Sequence, residues 1–269
     1  MNAIPQRYEP SATLLKDRVV LITGAGAGLG RALALACARA GATTVLAGKT
    51  VAHLEAVYDA IKAAGGAEPA IYPINLGGAS WSDFEQLAAT LQREFGRLDG
   101  LAHCAAHFKG FGPLAAVEPK DWIETLQVNL TAAFALTRHC LPLLDQSATG
   151  SVVLVSDDSG RRGKAYAGAY GVSKFALEGL MQTWAQELES AGRVRINTLD
   201  PGPMDTALRR KGYADAGGGR DPAVAAAALL WLLGPDSRPA SGTAFSIRHA
   251  RESGRPVRSA TPGFPLSRE

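Results

Sequence analysis

Residues 19–38 constrain this chain more than any other stretch. The apolar run Val19-Val20-Leu21-Ile22 leads into the turn Thr23-Gly24-Ala25-Gly26-Ala27-Gly28-Leu29-Gly30. Directly after it comes Arg31-Ala32-Leu33-Ala34-Leu35-Ala36-Cys37-Ala38, rich in good helix formers. A buried strand, a turn of glycines and then a helix bring backbone N–H groups and a helix N-terminus up to a pyrophosphate. Glycine is needed where a side chain would block that approach or where φ must be positive. The plain alternative is a glycine-rich loop that only tightens a βα turn. The spacing here, Thr-Gly-x3-Gly-x-Gly, is not the commoner Gly-x-Gly-x-x-Gly.

The rest of the chain alternates in the same sense. Strands are expected at Val19–Thr23, Thr43–Ala47, Ala70–Ile74, Leu98–His103, Ser151–Ser156, Arg195–Leu199 and Thr243–Ile247. Between them Val51, Leu54, Val57 and Ile61 mark one helix face, and Phe84, Leu87, Leu91 and Phe95 mark another. This alternation predicts a seven-stranded parallel sheet with helices on both faces, a three-layer doubly wound α/β (Rossmann) fold. Ligands then bind beyond the carboxyl ends of the strands, near the point where strand order reverses. At 269 residues the chain is long for an average domain but ordinary for one α/β unit, and it shows no internal repeat. Residues 1–14 read as an N-terminal arm and 15–250 as the single domain. Within it Pro203–Asp221, carrying Gly212, Gly217, Gly218 and Gly219, reads as a mobile substrate lid. Arg251–Glu269, with three prolines and little apolar content, reads as an irregular tail.

Composition narrows the function classes. A net charge of +3, with no basic stripe interleaved with aromatics, argues against nucleic acid as a partner. Cys37, Cys104 and Cys140 are odd in number and lack metal-ligand spacing, so neither disulfides nor a metal is expected; Cys37 and Cys140 read as small apolar helix residues. Met1–Thr13 is polar, with Pro5 and Pro10, and no apolar run reaches membrane-spanning length. The expectation is a reduced, cytoplasmic protein with no membrane partner.

Tyr170 and Lys174 lie four apart in Ala169-Tyr170-Gly171-Val172-Ser173-Lys174. On a helix they share a face, and an ammonium beside a phenol favours the phenolate, the setting of an acid–base catalyst. With the glycine turn, with Asn129 in Gln127-Val128-Asn129-Leu130 and with Pro201-Gly202-Pro203-Met204-Asp205-Thr206, the pair makes four motifs in order. Over approximately residues 15–250 the chain resembles the short-chain dehydrogenase/reductases, and within them the bacterial YciK-type oxidoreductases. The resemblance implies hydride exchange between nicotinamide and a small carbonyl or alcohol. Tyr170 is then the general acid or base, and Lys174 holds the ribose and lowers the Tyr170 pKa. Asn129 positions a relay water. Thr23, Gly24, Gly26, Gly28, Leu29 and Gly30 cradle the cofactor, Asn75 stands where the family carries an Asp that contacts adenine, and Leu76, Cys104 and Ala105 belong to the cofactor site. Pro201, Gly202, Met204 and Thr206 hold the carboxamide end. A homodimer or homotetramer through helices around Asp121–Leu144 and Ala169–Ser190 is also implied.

Three departures matter. At the end of the second strand stands Gly48-Lys49-Thr50, with no acid to hold a ribose 2′-OH and one ammonium to meet a 2′-phosphate, which favours NADP(H) over NAD(H). Lys49 as a solvated loop lysine is the alternative. His103-Cys104-Ala105-Ala106 replaces the family's Asn-Asn-Ala-Gly, so the ties between neighbouring strands there are expected to be only partly kept. Thirteen residues before Tyr170, where the family has a serine that hydrogen-bonds the substrate oxygen, this chain has Asp157. Either Asp157 faces the substrate, as a repelling carboxylate, a protonated donor or a recogniser of a cationic group, or it turns away to pair with Arg161 or Arg162. Ser159, in the loop, is a further hydroxyl within reach of the pocket. The expected function is an NADP(H)-dependent oxidoreductase; the alternative is a catalytically weak NADP(H)-binding sensor or scaffold. Arg209-Arg210-Lys211 reads as a solvated face or an anion attractor, and Phe108, Phe111 and Trp122 as pocket wall or core.

Overall fold

The computed structural model describes residues 4–5, 8–212 and 219–247. Seven strands form one parallel sheet in the order β3-β2-β1-β4-β5-β6-β7. They are β1 Val19–Thr23, β2 Thr43–Gly48, β3 Ala70–Pro73, β4 Gly100–His103, β5 Gly150–Val155, β6 Val194–Asp200 and β7 Ala244–Ser246. The order reverses between β1 and β4, which opens a crevice at their carboxyl ends. Register sets Thr23 opposite Ala47 and His103, His103 opposite Leu154, and Leu154 opposite Thr198. The loops that follow all leave from one edge of the sheet.

The central strands are largely apolar because both faces are covered, and successive residues serve different layers. Val20 and Ile22 pack with Leu33 and Cys37 of α1 (Gly28–Arg39) and Leu229 and Leu233 of α8 (Pro222–Leu233). Val19 and Leu21 pack on the other face with Leu87 and Leu91 of α3 (Trp81–Phe95) and Leu136 and Cys140 of α5 (Ala132–Asp145). Each fully buried aliphatic side chain contributes about 1.5–3 kcal/mol, so this double layer holds the site's frame. Leu54, Val57 and Ile61 are buried on α2 (Val51–Ala63), whereas Val51 is exposed. No helix of the described residues is long and apolar enough to cross a membrane.

Two features shape the site from outside the sheet. Between α4 (Pro119–Leu126) and α5 the helix passes through a π-helical turn, Gln127–Thr131, in which Asn129 is the buried residue. Such single turns inside longer helices frequently occur at functional sites. After β6 the chain closes on itself: the Arg220 N–H donates to the Pro203 carbonyl at 2.9 Å and the Asp205 N–H to the Arg220 carbonyl at 2.8 Å. This closure frames the expected lid, whose described part includes the short helix α7 (Ala207–Arg210). Gly217, Gly218 and the expected tail 251–269 lie outside the described residues.

Candidate active site

The glycine turn takes the shape its sequence demands. Gly24 and Gly28 have φ of 67° and 52°, a region that favours glycine. A Cβ on Gly24 would lie 2.9 Å from the Ala105 Cα, and one on Gly30 would lie 2.3 Å from the Gly24 carbonyl oxygen. The Ala105 N–H donates to Thr23 Oγ1 at 3.2 Å and fastens the loop after β4 to β1. Helix α1 begins at Gly28 with no side-chain cap and no acid in its first turn, so no carboxylate of its own competes for its N-terminal N–H groups.

This turn forms one wall of a cavity of about 1470 Å³ along the carboxyl ends of the strands. Lys49, Asn75 and Leu76 line it past β2 and β3; Cys104 and Ala105 line it past β4. Asp157, Tyr170 and Lys174, together with Pro201, Gly202, Met204 and Thr206, line it past β5 and β6. Thr23, Gly24, Gly26, Gly28, Leu29 and Gly30 complete it. Every cofactor-site residue expected from the sequence borders this one cavity. Its glycine cradle, bare helix N-terminus and acid-free second strand end fit a dinucleotide carrying a 2′-phosphate.

Asn129 stands behind the wall. Its Oδ1 accepts from the His107 N–H at 2.6 Å, and its Nδ2 donates to the His107 carbonyl at 3.0 Å and to Ser173 Oγ at 2.9 Å. Ser173 Oγ in turn donates to the Tyr170 carbonyl at 2.7 Å, within α6 (Gly168–Leu188). This chain of bonds locks the π-helical turn to the helix that carries Tyr170 and Lys174. Lys174 is 2% exposed, and its Nζ donates to the Val155 carbonyl at 2.7 Å and lies 5.3 Å from the Tyr170 ring centroid. Burial pulls its pKa down to about 8, against the opposing pull of Asp157 first, then Cys104, Glu178 and Asp200. The Tyr170 ring packs 4.9 Å from Phe108, which packs 5.1 Å from Phe111. Both phenylalanines line the cavity; Trp122 is not among its lining residues.

Asp157 borders the cavity. β5 ends at Val155, and Asp157 Oδ1 accepts from the Ser159 N–H at 2.8 Å to start a tight turn at Asp158–Gly160. Among the described residues no ion pair joins Asp157 to Arg161 or Arg162. Arg161 is engaged elsewhere: it donates to Glu178 Oε1 at 3.0 Å, to the Phe245 carbonyl at 2.7 Å and to Ser246 Oγ. Thr198 Oγ1 donates to the other Glu178 oxygen at 2.7 Å. Asp158 pairs with Lys164 at 2.8 Å. Ser159 Oγ is buried without a hydrogen-bond partner beside the cavity, as is Ser156 Oγ. Arg210 pairs with Asp205, while Arg209 lines the cavity.

Three site features escaped the sequence reading. Asp200, the last residue of β6, borders the cavity, and its Oδ1 accepts from the Gly202 N–H at 2.9 Å. Burial raises its pKa first, and the nearby Asp157 raises it further. The backbone of His107 is the partner of Asn129 on both sides, and its ring faces Glu124 at 3.5 Å. His103 bonds Thr137 Oγ1 through Nε2 at 2.9 Å, so it ties β4 to α5 rather than to a neighbouring strand. Burial drives the His103 ring down to about 3 and the Cys104 thiol up to about 12. Position gives a signal only for Asp200, which immediately precedes the Pro201-Gly202 motif.

A family model described as short chain dehydrogenase matches residues 18–217. The oxidoreductase YciK of Escherichia coli (strain K12) is 38% identical over 249 residues, which span 92% of this chain and 98% of YciK. A solved short chain dehydrogenase from Pseudomonas syringae superposes with a TM-score of 0.87 at 44% identity, covering 89% of this chain and 98% of that one. One from Escherichia coli CFT073, complexed with NADPH, superposes with a TM-score of 0.85 at 38% identity, covering 88% of this chain and 99% of that one.

Proposed function

The chain belongs to the short-chain dehydrogenase family, and from that premise we propose an NADP(H)-dependent oxidoreductase acting on a small carbonyl or alcohol. The observation that supports it most is the convergence of the glycine cradle and the Tyr170–Lys174 pair on a single cavity. Bound there, the cofactor supplies or accepts the hydride. Thr23 and the glycines hold the pyrophosphate against the start of α1. Lys49 meets the 2′-phosphate, in an end of the cavity that offers no acid to a ribose hydroxyl.

Tyr170 exchanges the proton with the substrate oxygen. Lys174, fixed by the Val155 carbonyl and charged at neutral pH, favours the phenolate that remains. Asn129 orients the proton path behind Lys174 and, through Ser173, the helix that bears both catalytic groups. Phe108 covers one side of the Tyr170 ring and is backed by Phe111. Asp157 faces the substrate where the family has a hydroxyl donor. Loss of such a donor typically costs about 100–1,000-fold in rate, so turnover of ordinary carbonyls is slow. Exposed Ile123 on α4 and Val172 and Phe175 on α6 support self-association through these helices.

The test is NADPH oxidation against aldehydes, ketones and quinones, by wild type, Asp157→Ser and Tyr170→Phe. Turnover that Tyr170→Phe abolishes supports the enzyme. NADPH binding without turnover in both wild type and Asp157→Ser moves the assignment to a cofactor-binding sensor or scaffold.

A further inference from the structure

Asp157 and Asp200 stand at the carboxyl ends of adjacent strands. β5 and β6 pair Val155 with Leu199, and the Ser156 N–H continues the ladder with a 2.7 Å bond to the Leu199 carbonyl. Each carboxylate is fixed by one backbone N–H, from Ser159 and Gly202 respectively, and neither is in an ion pair among the described residues. Two nearby cations are committed elsewhere: Arg161 to Glu178 and Lys164 to Asp158. Arg162 lies exposed at the mouth. Lys174, buried and bonded to the Val155 carbonyl at the end of β5, borders the same cavity, and both carboxylates favour its charge. Two acidic groups therefore face one lysine at the end of the cavity that holds Tyr170.

The cofactor reading above places the nicotinamide at that end, and this inference rests on it. The oxidised ring carries a positive charge and the reduced ring none, while the rest of the two molecules is the same. We propose that Asp157 and Asp200 together bind the oxidised, cationic nicotinamide in preference to the reduced one. Contributions of the glycine cradle and of Lys49 cancel in the ratio of the two affinities, so that ratio reports the local field alone. One carboxylate a few ångströms from a unit charge, partly screened, alters the ratio about tenfold. Tighter binding of the oxidised form lowers the potential of the bound couple by about 30 mV per tenfold, because two electrons are exchanged. The bound reduced cofactor is then a stronger hydride donor. That offsets in part the missing hydroxyl donor at position 157.

Calorimetric titration of NADP+ and of NADPH into wild type, Asp157→Asn, Asp200→Asn and Lys49→Ala tests the inference. Asparagine keeps the oxygen that accepts from Ser159 or Gly202, so the turns survive, and thermal midpoints of the apo proteins verify this. Each asparagine variant is expected to lower Kd(NADPH)/Kd(NADP+) about tenfold, mainly by weakening NADP+. Lys49→Ala is expected to weaken both forms alike and leave the ratio where it was. A ratio within twofold of wild type in both asparagine variants overturns the inference while leaving NADP(H) binding standing. Failure of wild type to bind either form overturns the cofactor reading and this inference with it.

Discussion

Glu178→Ala should destabilise the protein by about 3 kcal/mol, because it strands a guanidinium inside a four-element junction. Arg161 follows the Asp157 turn, Glu178 lies on α6, Thr198 on β6, and Phe245 and Ser246 on β7. The side chains of Glu178 and Arg161 are 8% and 19% exposed, so neither charge has free access to water. Removing one partner of such a pair costs about 3–5 kcal/mol, most of it the penalty of the charge left behind. Arg161 keeps its bonds to the Phe245 carbonyl and Ser246, which holds the cost near the lower end; Thr198 loses its acceptor, which adds to it. For a chain of this size ~3 kcal/mol corresponds to a fall in Tm of about 6–12 °C. Glu178→Gln, which keeps an oxygen for Arg161, should lose about half as much. Thermal and urea unfolding of the apo protein measure both. A loss below ~1 kcal/mol for Glu178→Ala would refute the reasoning, since the guanidinium would then have found water as good as its carboxylate.

Three further outcomes are expected. Gly30→Ala forces a methyl group against the Gly24 carbonyl, and strain of ~1–3 kcal/mol should weaken NADPH binding roughly 10- to 100-fold in fluorescence titration; an unchanged Kd would mean that the turn is not the cradle. Asp157→Ser should raise turnover of simple aldehydes and ketones about 100-fold or more, and an equal or lower rate would remove Asp157 from the substrate's side. Lys174 has a folded pKa of about 8 against an ordinary 10.5, so the unfolded chain binds the extra proton between those values. Stability of wild type relative to Lys174→Met should therefore rise across that window, while turnover falls as pH passes about 8. A flat difference across it would contradict the burial of the ammonium.

What the sequence disclosed follows from how local each feature is. Buried parallel strands are unbroken β-rich runs, so all seven were legible and their ends shifted by at most two residues, as where β4 starts at Gly100 rather than Leu98. The glycine turn was legible because only glycine meets its positive φ and its 2.3 Å approach. Helical spacing put Tyr170 and Lys174 on one face, but the pair gained meaning only together with the glycine turn far upstream. The π-helical turn around Asn129 has no periodic signature, and the position of Asn129 was legible only through resemblance. The company Asp157 keeps was decided at long range. Arg161, its nearest candidate partner in sequence, is drawn to Glu178 seventeen residues on and to Phe245 eighty-four residues on. The bond from His103 to Thr137, and the exclusion of Trp122 from the cavity, likewise depend on packing that no local pattern encodes.

The bonds among Pro203, Asp205 and Arg220 also bear on how such a site can diversify. They shut the loop at its neck, so Pro201 and Gly202, proposed above to meet the cofactor, lie outside the span that these bonds close. Doubling the length of a flexible loop costs only ~0.6 kcal/mol in closure entropy. The span between these bonds thus tolerates changes of length at little cost in stability. A change of length within it therefore leaves the bonds at Pro203, Asp205 and Arg220 able to form.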